Sequence, residues 1–436
     1  MSNPRPKKSN IGSVLIAFLV VIIIFISGIG LAIYSFGNKN GGNLSFNNLL
    51  KKSSGSSATK VQNLENNSSG SNPPSFTFAK DTTSQSVTQI VENSLPSVLS
   101  IRVKTQSGRQ GITSEAAGTG YIVASDGLVV TNRHVVAQYC KTSALNPTTI
   151  TALGNDQKAY ELSVKSIDPI DDIAILQIQN APADLKPIKF ADSSKIKMGE
   201  DVIAIGNALG EFRNTVTRGI VSGADRSLNT QLTDECTGRN IAADGLIQTD
   251  AAINKGNSGG PLFDSTGSVI GMNTFGSTDA QNIGFSIPSV TILQALNSFK
   301  QNGKINRPQL GVVTKSLDAA LKVQFDWLPM DYGELLYNPD GASVSSGSAA
   351  DKAGLKDGDI ILEVDGKKLV SDNENTSPLR REILSKDPGA TVELTVLKTT
   401  QVDSSAQSFK YSSNPDKITV KLGSTSFDLK NAVNSR

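Results

Sequence analysis

Histidine is nearly missing from this chain: the 436 residues contain one, His134. Cysteine is scarce too, with Cys140 and Cys236 far apart. One imidazole and two distant thiols cannot complete a structural zinc site, so no metal is expected, and no cofactor pattern accompanies them. Charge of one sign is also lacking. Lys and Arg number 42 against 40 Asp and Glu, a net charge of +2. No basic excess points to a nucleic acid partner. Aromatic residues make up 5%, whereas glycine occurs 38 times, the composition of a turn-rich β protein. The length is enough for two or three domains, each with its own core.

What is present centres on Gly256-Asn257-Ser258-Gly259-Gly260-Pro261-Leu262. Glycines allow backbone conformations with φ > 0 and close approach of another chain. A serine on such a turn can expose its hydroxyl while neighbouring N–H groups converge on one point, the arrangement needed for nucleophilic acyl transfer. The pattern alone is common in ordinary turns. The single histidine narrows it, because any Ser/His chemistry must use His134. It follows the apolar runs Tyr121-Ile122-Val123 and Leu128-Val129-Val130. A strand that delivers a histidine to a loop suits a general base near neutral pH. Asp168, Asp171 and Asp172 compete to orient the imidazole. Asp172 leads directly into the apolar strand Ile173-Ala174-Ile175-Leu176 and is the expected partner. Asp168 and Asp171 then read as solvated turn residues.

The stretches Thr131-Asn132-x-His134-Val135, Asp172-Ile173-Ala174, Gln248-Thr249-Asp250-Ala251-Ala252-Ile253-Asn254 and Gly256–Leu262 resemble the HtrA/Deg family of trypsin-like serine proteases. Gly118-Thr119-Gly120-Tyr121-Ile122 and Ile283-Gly284-Phe285-Ser286-Ile287-Pro288 fit the same family. The resemblance implies a double β-barrel with the catalytic residues in the cleft between barrels. Ser258 is then the nucleophile, His134 the general acid/base and Asp172 its orienter. The N–H groups of Gly256 and Ser258, helped by Asn257, would form the oxyanion hole. Ala252 and Ile253 would line the primary specificity pocket and select small or medium apolar residues, since no Asp sits there to read a basic side chain. The family also implies switching through mobile loops, for which Gly206–Thr215, Ala224–Asp244 and Thr274–Asn282 are candidates. Cys140 and Cys236 fall in loops flanking this site and either form a disulfide or remain two thiols.

Residues 1–10 carry Arg5, Lys7 and Lys8, and the next 26, Ile11 to Phe36, are uncharged. As a helix rising about 1.5 Å per residue this stretch reaches roughly 39 Å, enough for the ~30 Å hydrocarbon layer with tilt. It exceeds the apolar region of a signal peptide, and Ala32-Ile33-Tyr34 is a poor cleavage site, so an uncleaved transmembrane anchor is expected. The basic end then stays cytoplasmic and the remainder is extracytoplasmic. Residues 37–82, rich in Asn, Ser and Gly, read as a disordered tether. Phe76 and Phe78 interrupt it and could pack on a neighbouring subunit, since members of the resembled family assemble as trimers through amino-terminal segments.

From residue 83 to 302 short apolar strands alternate with turn signals, which indicates an all-β barrel or sandwich. A break at Gly303–Pro308 precedes a second module, residues 306–425. There Ser348-Ala349-Ala350-Asp351 reads as a helix start, Asp365-Gly366 as a hairpin turn and Ser377-Pro378 as a second helix start. Ala350-Asp351-Lys352-Ala353-Gly354-Leu355-Lys356-x-Gly358-Asp359-Ile360-Ile361 resembles the PDZ domains of the same family. Such domains add an extended peptide to a sheet edge and hold its terminal carboxylate in backbone N–H groups. By that analogy the nest is Tyr332-Gly333-Glu334-Leu335, where Glu334 departs from the usual apolar residue and would repel a bound carboxylate. An interdomain module without peptide affinity is the other reading.

The fold expected is therefore mainly β: a trypsin-like double β-barrel domain, then a PDZ domain, preceded by one transmembrane helix and a disordered linker. The expected function is that of a membrane-anchored serine endopeptidase acting on unfolded or damaged polypeptides in protein quality control. The alternative is a peptide-binding sensor or chaperone-like scaffold with minor or conditional proteolysis.

Overall fold

The computed structural model describes residues 75–79, 83–106, 113–141, 147–208, 212–233, 236, 240–276, 282–371, 377–403 and 408–429. The expected membrane anchor at 11–36 and nearly all of the expected tether lie outside them. No helix among the described residues is long and apolar enough to cross a membrane.

Helix α1 (Val87–Ser94) opens with a reciprocal cap: Ser86 accepts from the Gln89 N–H while the Gln89 side chain accepts from the Ser86 N–H. Six strands follow: β1 (Val98–Gln106), β2 (Thr113–Ile122), β3 (Leu128–Thr131), β4 (Thr148–Leu153), β5 (Ala159–Ile167) and β6 (Ala174–Ile178). They close in the order β1-β2-β3-β6-β5-β4. A second closed barrel has the order β10-β11-β12-β9-β8-β7. Its strands are β7 (Asp201–Ala208), β8 (Phe212–Thr233), β9 (Asn240–Thr249), β10 (Pro261–Phe263), β11 (Val269–Gly276) and β12 (Gly284–Pro288).

Alternation along each strand explains why the two barrels are inseparable. Side chains of successive residues point to opposite faces. On β3, Val129 enters the first barrel's interior, while Leu128 and Val130 enter a seam shared with the second barrel. On β6, Ala174, Leu176 and Ile178 face inward and Ile175 faces the seam. On β7, Val202 and Ala204 fill the second barrel as Ile203 and Ile205 reach the seam. Strands buried on both faces lose polar alternation, which is why they read as continuous apolar runs. Helix α2 (Ser289–Asn302) closes the seam with Ile292, Leu293, Ala295 and Leu296. Phe76 packs on this helix within the same chain. Its N–H donates to Asn297 Oδ1 at 2.8 Å, and the Lys300 ammonium lies over its ring. The amino-terminal segment is thus already docked at residues 75–79, inside the region expected to be a tether.

The second module begins with β13 (Asn306–Gln309) and β14 (Thr314–Ser316). Then come α3 (Ala319–Gln324), β15 (Glu334–Leu336), α4 (Ala349–Lys352), β16 (Ile360–Val364) and β17 (Lys367–Lys368). Helix α5 (Pro378–Leu384), β18 (Thr391–Leu397), β19 (Thr399–Asp403), β20 (Ser408–Tyr411), β21 (Asp416–Lys421) and β22 (Gly423–Ser426) complete it. The main sheet runs β14-β15-β16-β18-β21, with β17 on β16, while β13 pairs with β22. Ser348 caps α4, and Asp365 and Gly366, both at positive φ, make the β16–β17 turn.

Three expectations change. The stretch Ala224–Asp244 is largely the β8–β9 hairpin and not a loop, because polar residues there are held in a ladder. Asp168 and Asp171 are not solvated. The break at 303–308 is not a free linker, since Arg307 inserts into the protease-like domain with 2% of its side chain exposed. Its Nη2 lies 2.6 Å from Asp168 Oδ2 and 2.8 Å from Asp171 Oδ2, and its Nε donates to Asp168 at 2.8 Å. Burial alone would disfavour the guanidinium charge, but the facing carboxylates outweigh it and raise its pKa. A buried charge is tolerated only when paired. Arg307→Ala strands two carboxylates, so unfolding in urea should show a loss of about 3–5 kcal/mol.

Candidate active site

The site forms where β3 ends. Thr131 closes that strand, and a 3-10 helix (Arg133–Lys141) begins with His134 almost at its first position. Opposite, the turn before β6 carries Asp172. Its backbone carbonyl accepts from Asn132 Nδ2 at 3.0 Å and from the Arg133 N–H at 3.2 Å, so the two segments are locked before any side-chain chemistry. The Asp172 side chain is fully buried, and its carboxylate receives three donors. These are the His134 N–H at 2.9 Å, His134 Nδ1 at 2.7 Å and Thr274 Oγ1 at 2.8 Å. An ionised carboxylate only accepts, so Nδ1 carries the proton and Nε2 remains the basic nitrogen. Burial pushes the Asp172 carboxyl up. The His134 charge and hydrogen bonds, with Arg133, more than offset this and hold it below the ordinary carboxylate range. Phe275 stacks on the imidazole at a centroid distance of 5.6 Å.

Ser258 lies in the turn between Ala251 and β10. Gly259 has φ +83, and a Cβ there would stand 2.1 Å from the Thr119 carbonyl oxygen, so only glycine fits. Gly256 has φ +99. Among the described residues the N–H groups of Gly256 and Ser258 have no intramolecular acceptor. The Asn257 N–H differs: it donates to the Asn254 carbonyl at 3.0 Å, and its side-chain amide donates to the Ala252 carbonyl. Asn257 therefore shapes the turn and supplies no oxyanion donor. Ser258 Oγ donates to the Thr274 carbonyl at 2.9 Å.

Ala252 is exposed, whereas Ile253 packs in the second barrel with Val202, Leu262 and Ile270. Cys140 and Cys236 are bonded (Sγ–Sγ 2.07 Å), tying the helix that carries His134 to the turn between β8 and β9. No cluster of three potential metal ligands occurs among the described residues. Thr274 and Thr119 were not legible as site residues. Thr274 sits in a stretch that reads as loop, and Thr119 lies inside a motif that reads as strand.

Tyr332–Leu335 is not an open anion nest. Strand β15 is paired on both sides, with Ser316↔Glu334 to β14 and Glu334↔Ile361 to β16. The Gly333 N–H is spent on the Leu369 carbonyl. The sheet ends in β14 on one side and β21 on the other. Glu334 is fully buried, and its Oε1 accepts from Ser316 Oγ and Ser377 Oγ at 3.0 Å each and from the Leu379 N–H at 3.4 Å. It thus braces the amino end of α5 and faces no ligand. Burial raises its pKa beyond what these hydroxyls and that N–H can restore. From α5, Arg380 pairs with Asp244 at 2.9 Å and Arg381 with Asp225, joining the PDZ-like module to the β8–β9 hairpin.

Two family models match: a trypsin-like peptidase domain over residues 118–272 and a PDZ domain over residues 308–409. The chain is 36% identical over 305 residues to the serine protease Do-like HtrA of Bacillus subtilis (strain 168). That match covers 66% of this chain and 62% of the relative, so the chain spans somewhat under two thirds of that protein. It is 30% identical over 420 residues to the serine protease Do-like HtrA of Lactobacillus helveticus, covering 91% of this chain and 94% of the relative. The chain belongs to the HtrA family of serine proteases. The HtrA-type protease AlgW, solved with a decapeptide, has a TM-score of 0.57 and 26% identity, covering 78% of this chain and 99% of that one. The HtrA fold here is mainly β, a trypsin-like double barrel followed by a PDZ domain.

Two measurements test this geometry. Asp172→Asn, which reverses the imidazole tautomer, should lower kcat for peptide cleavage on the order of 10⁴-fold near neutral pH. Glu334→Gln should raise the melting temperature at pH 7–8 but not near pH 4. A pKa raised on folding means the native state binds more protons, so stability falls as pH climbs above the ordinary value of 4.5.

Proposed function

We propose that the protein is a serine endopeptidase that cleaves polypeptides through a Ser258 acyl-enzyme, with His134 as general acid/base and Asp172 as its orienter. The observation that carries this reading is the buried Asp172 holding His134 by two hydrogen bonds, one from its backbone N–H and one from its ring Nδ1, beside a serine turn with two uncommitted N–H groups. In the forward step Ser258 Oγ attacks the scissile carbonyl carbon and its proton passes to His134 Nε2. The carbonyl electron pair moves onto oxygen, where the N–H groups of Gly256 and Ser258 stabilise it. His134 then protonates the leaving amine, and water repeats the sequence on the ester.

The same reading extends further. The uncharged segment Ile11–Phe36 anchors the protein in the cytoplasmic membrane, with the protease and PDZ domains outside. Unfolded or damaged polypeptides are the substrates, cleaved after small or medium apolar residues, in a quality-control role and as a trimer. The edge strand β14 takes an extended peptide by strand addition, in keeping with the decapeptide bound by AlgW. The Ser258 hydroxyl turned to the Thr274 carbonyl favours activity that is conditional rather than constant.

Casein degradation by the full-length protein, wild type against Ser258→Ala, is the test. Cleavage should vanish in the variant, and a fluorophosphonate should label Ser258 in wild type but not in His134→Ala. Absence of both cleavage and labelling in wild type would instead support a peptide-binding scaffold.

A further inference from the structure

Thr119 lies on β2, in the first barrel, and is fully buried. It makes four hydrogen bonds, and three of them concern the second barrel's catalytic face. Its N–H donates to the Ser258 carbonyl at 2.9 Å. Its Oγ1 donates to the Gly256 carbonyl at 2.6 Å and accepts from the Asn207 N–H at 2.8 Å. Its own carbonyl accepts from Thr131 Oγ1 at 2.6 Å. One residue therefore grips the carbonyls of both residues whose N–H groups would form the oxyanion hole.

The geometry of peptide planes shows why this matters. A peptide group is planar, so its C=O and the next residue's N–H turn together. Thr119 holds the planes that begin at Gly256 and at Ser258. The plane between them contains the Asn257 carbonyl and the Ser258 N–H, and it is held at the carbonyl end by the Gly260 N–H at 2.9 Å. Three successive planes are thus fixed, two of them by Thr119. The remaining plane, carrying the Gly256 N–H, joins this set through Gly256 itself, whose φ of +99 is a conformation that glycine adopts freely. Without the Thr119 hydroxyl, the Gly256 carbonyl and the Asn207 N–H would lose their partners together, and a buried polar group without a partner rearranges to find one. For Gly256, rearrangement means rotating the adjacent peptide planes and misdirecting a donor.

We propose that Thr119 is a positioning residue for the oxyanion hole: its hydroxyl, reaching across from the first barrel, holds Gly256 so that the N–H groups of Gly256 and Ser258 point at one oxygen. This rests on the endopeptidase reading and adds a residue that does not touch the substrate. A side chain from one barrel thereby sets donors on the other, so the hole exists only while the barrels are docked.

The test compares Thr119→Val, which keeps the shape and removes the hydroxyl, with Thr119→Ser, which keeps the hydroxyl. Losing one oxyanion donor outright costs about 10²- to 10³-fold in kcat, and misdirecting one should cost about 10- to 100-fold. In Thr119→Val, kcat/KM for a peptide substrate should fall by that factor with KM little changed. The inhibition constant of a peptidyl boronate, whose tetrahedral adduct occupies the hole, should rise by the same factor. Fluorophosphonate should label the valine variant to the wild-type end point, only more slowly. Thr119→Ser should restore cleavage to within about threefold. Wild-type kcat/KM in the valine variant would overturn the proposal. So would a loss accounted for by a smaller labelled fraction with unchanged turnover per labelled site, since that is misfolding. Should the valine variant not fold, Thr119→Ala is read in the same way. If wild type neither cleaves nor labels, it is the endopeptidase reading that has failed, and the Thr119 proposal with it.

Discussion

A carboxylate removed from water must be surrounded by donors, and Asp172 is the group on which the placement of His134 depends. The carboxylate's three donors come from two distant places in the chain. His134 supplies a backbone and a ring N–H, and Thr274 reaches over from the second barrel. Leaving such a charge unpaired is costly enough that the segments delivering the donors are held in register by it. The imidazole is consequently fixed in tautomer and direction, and a base at Nε2 follows from a constraint that is first of all structural.

The same logic recurs at each seam. Thr119 crosses from the first barrel to the serine turn, and the Cys140–Cys236 bond crosses from the His134 helix to the β8–β9 turn. Between them the apolar seam of Val130, Ile175, Ile203, Ile205 and Met272 supplies non-directional cohesion. Hydrophobic burial brings the barrels together, and the polar crossings decide their register.

The PDZ domain is tied in by the same means. Arg307 pairs with both Asp168 and Asp171, which lie in the turn that ends in Asp172. Arg380 and Arg381 meet the β8–β9 hairpin, whose far turn holds Cys236. The residues that attach the second domain therefore stand on the segments that shape the first domain's site.

Much was legible in the residues themselves. A lone histidine, a glycine-flanked serine and an aspartate at the head of an apolar strand led to three positions that need no long-range information, because local pattern and scarcity suffice. Strand alternation and turn residues were likewise enough for an all-β barrel or sandwich with a second module after it, since they reflect backbone sterics, whereas the double barrel was implied by the resemblance to the HtrA/Deg family. Other features depend on who stands opposite whom. Asp168 and Asp171 look like ordinary turn carboxylates until Arg307 arrives from more than a hundred residues away. Tyr332–Leu335 reads by analogy as a carboxylate nest until β14 and β16 pair with Glu334 and Leu335 on both sides. The role of Thr119 and the pairing of the cysteines are of this second kind. Sequence by itself determined which residues could do chemistry and which segments would be strands, because those depend on side-chain type and local backbone preference. Only the tertiary structure decided which polar groups are satisfied by one another, because burial and partnership are properties of segments brought together in space.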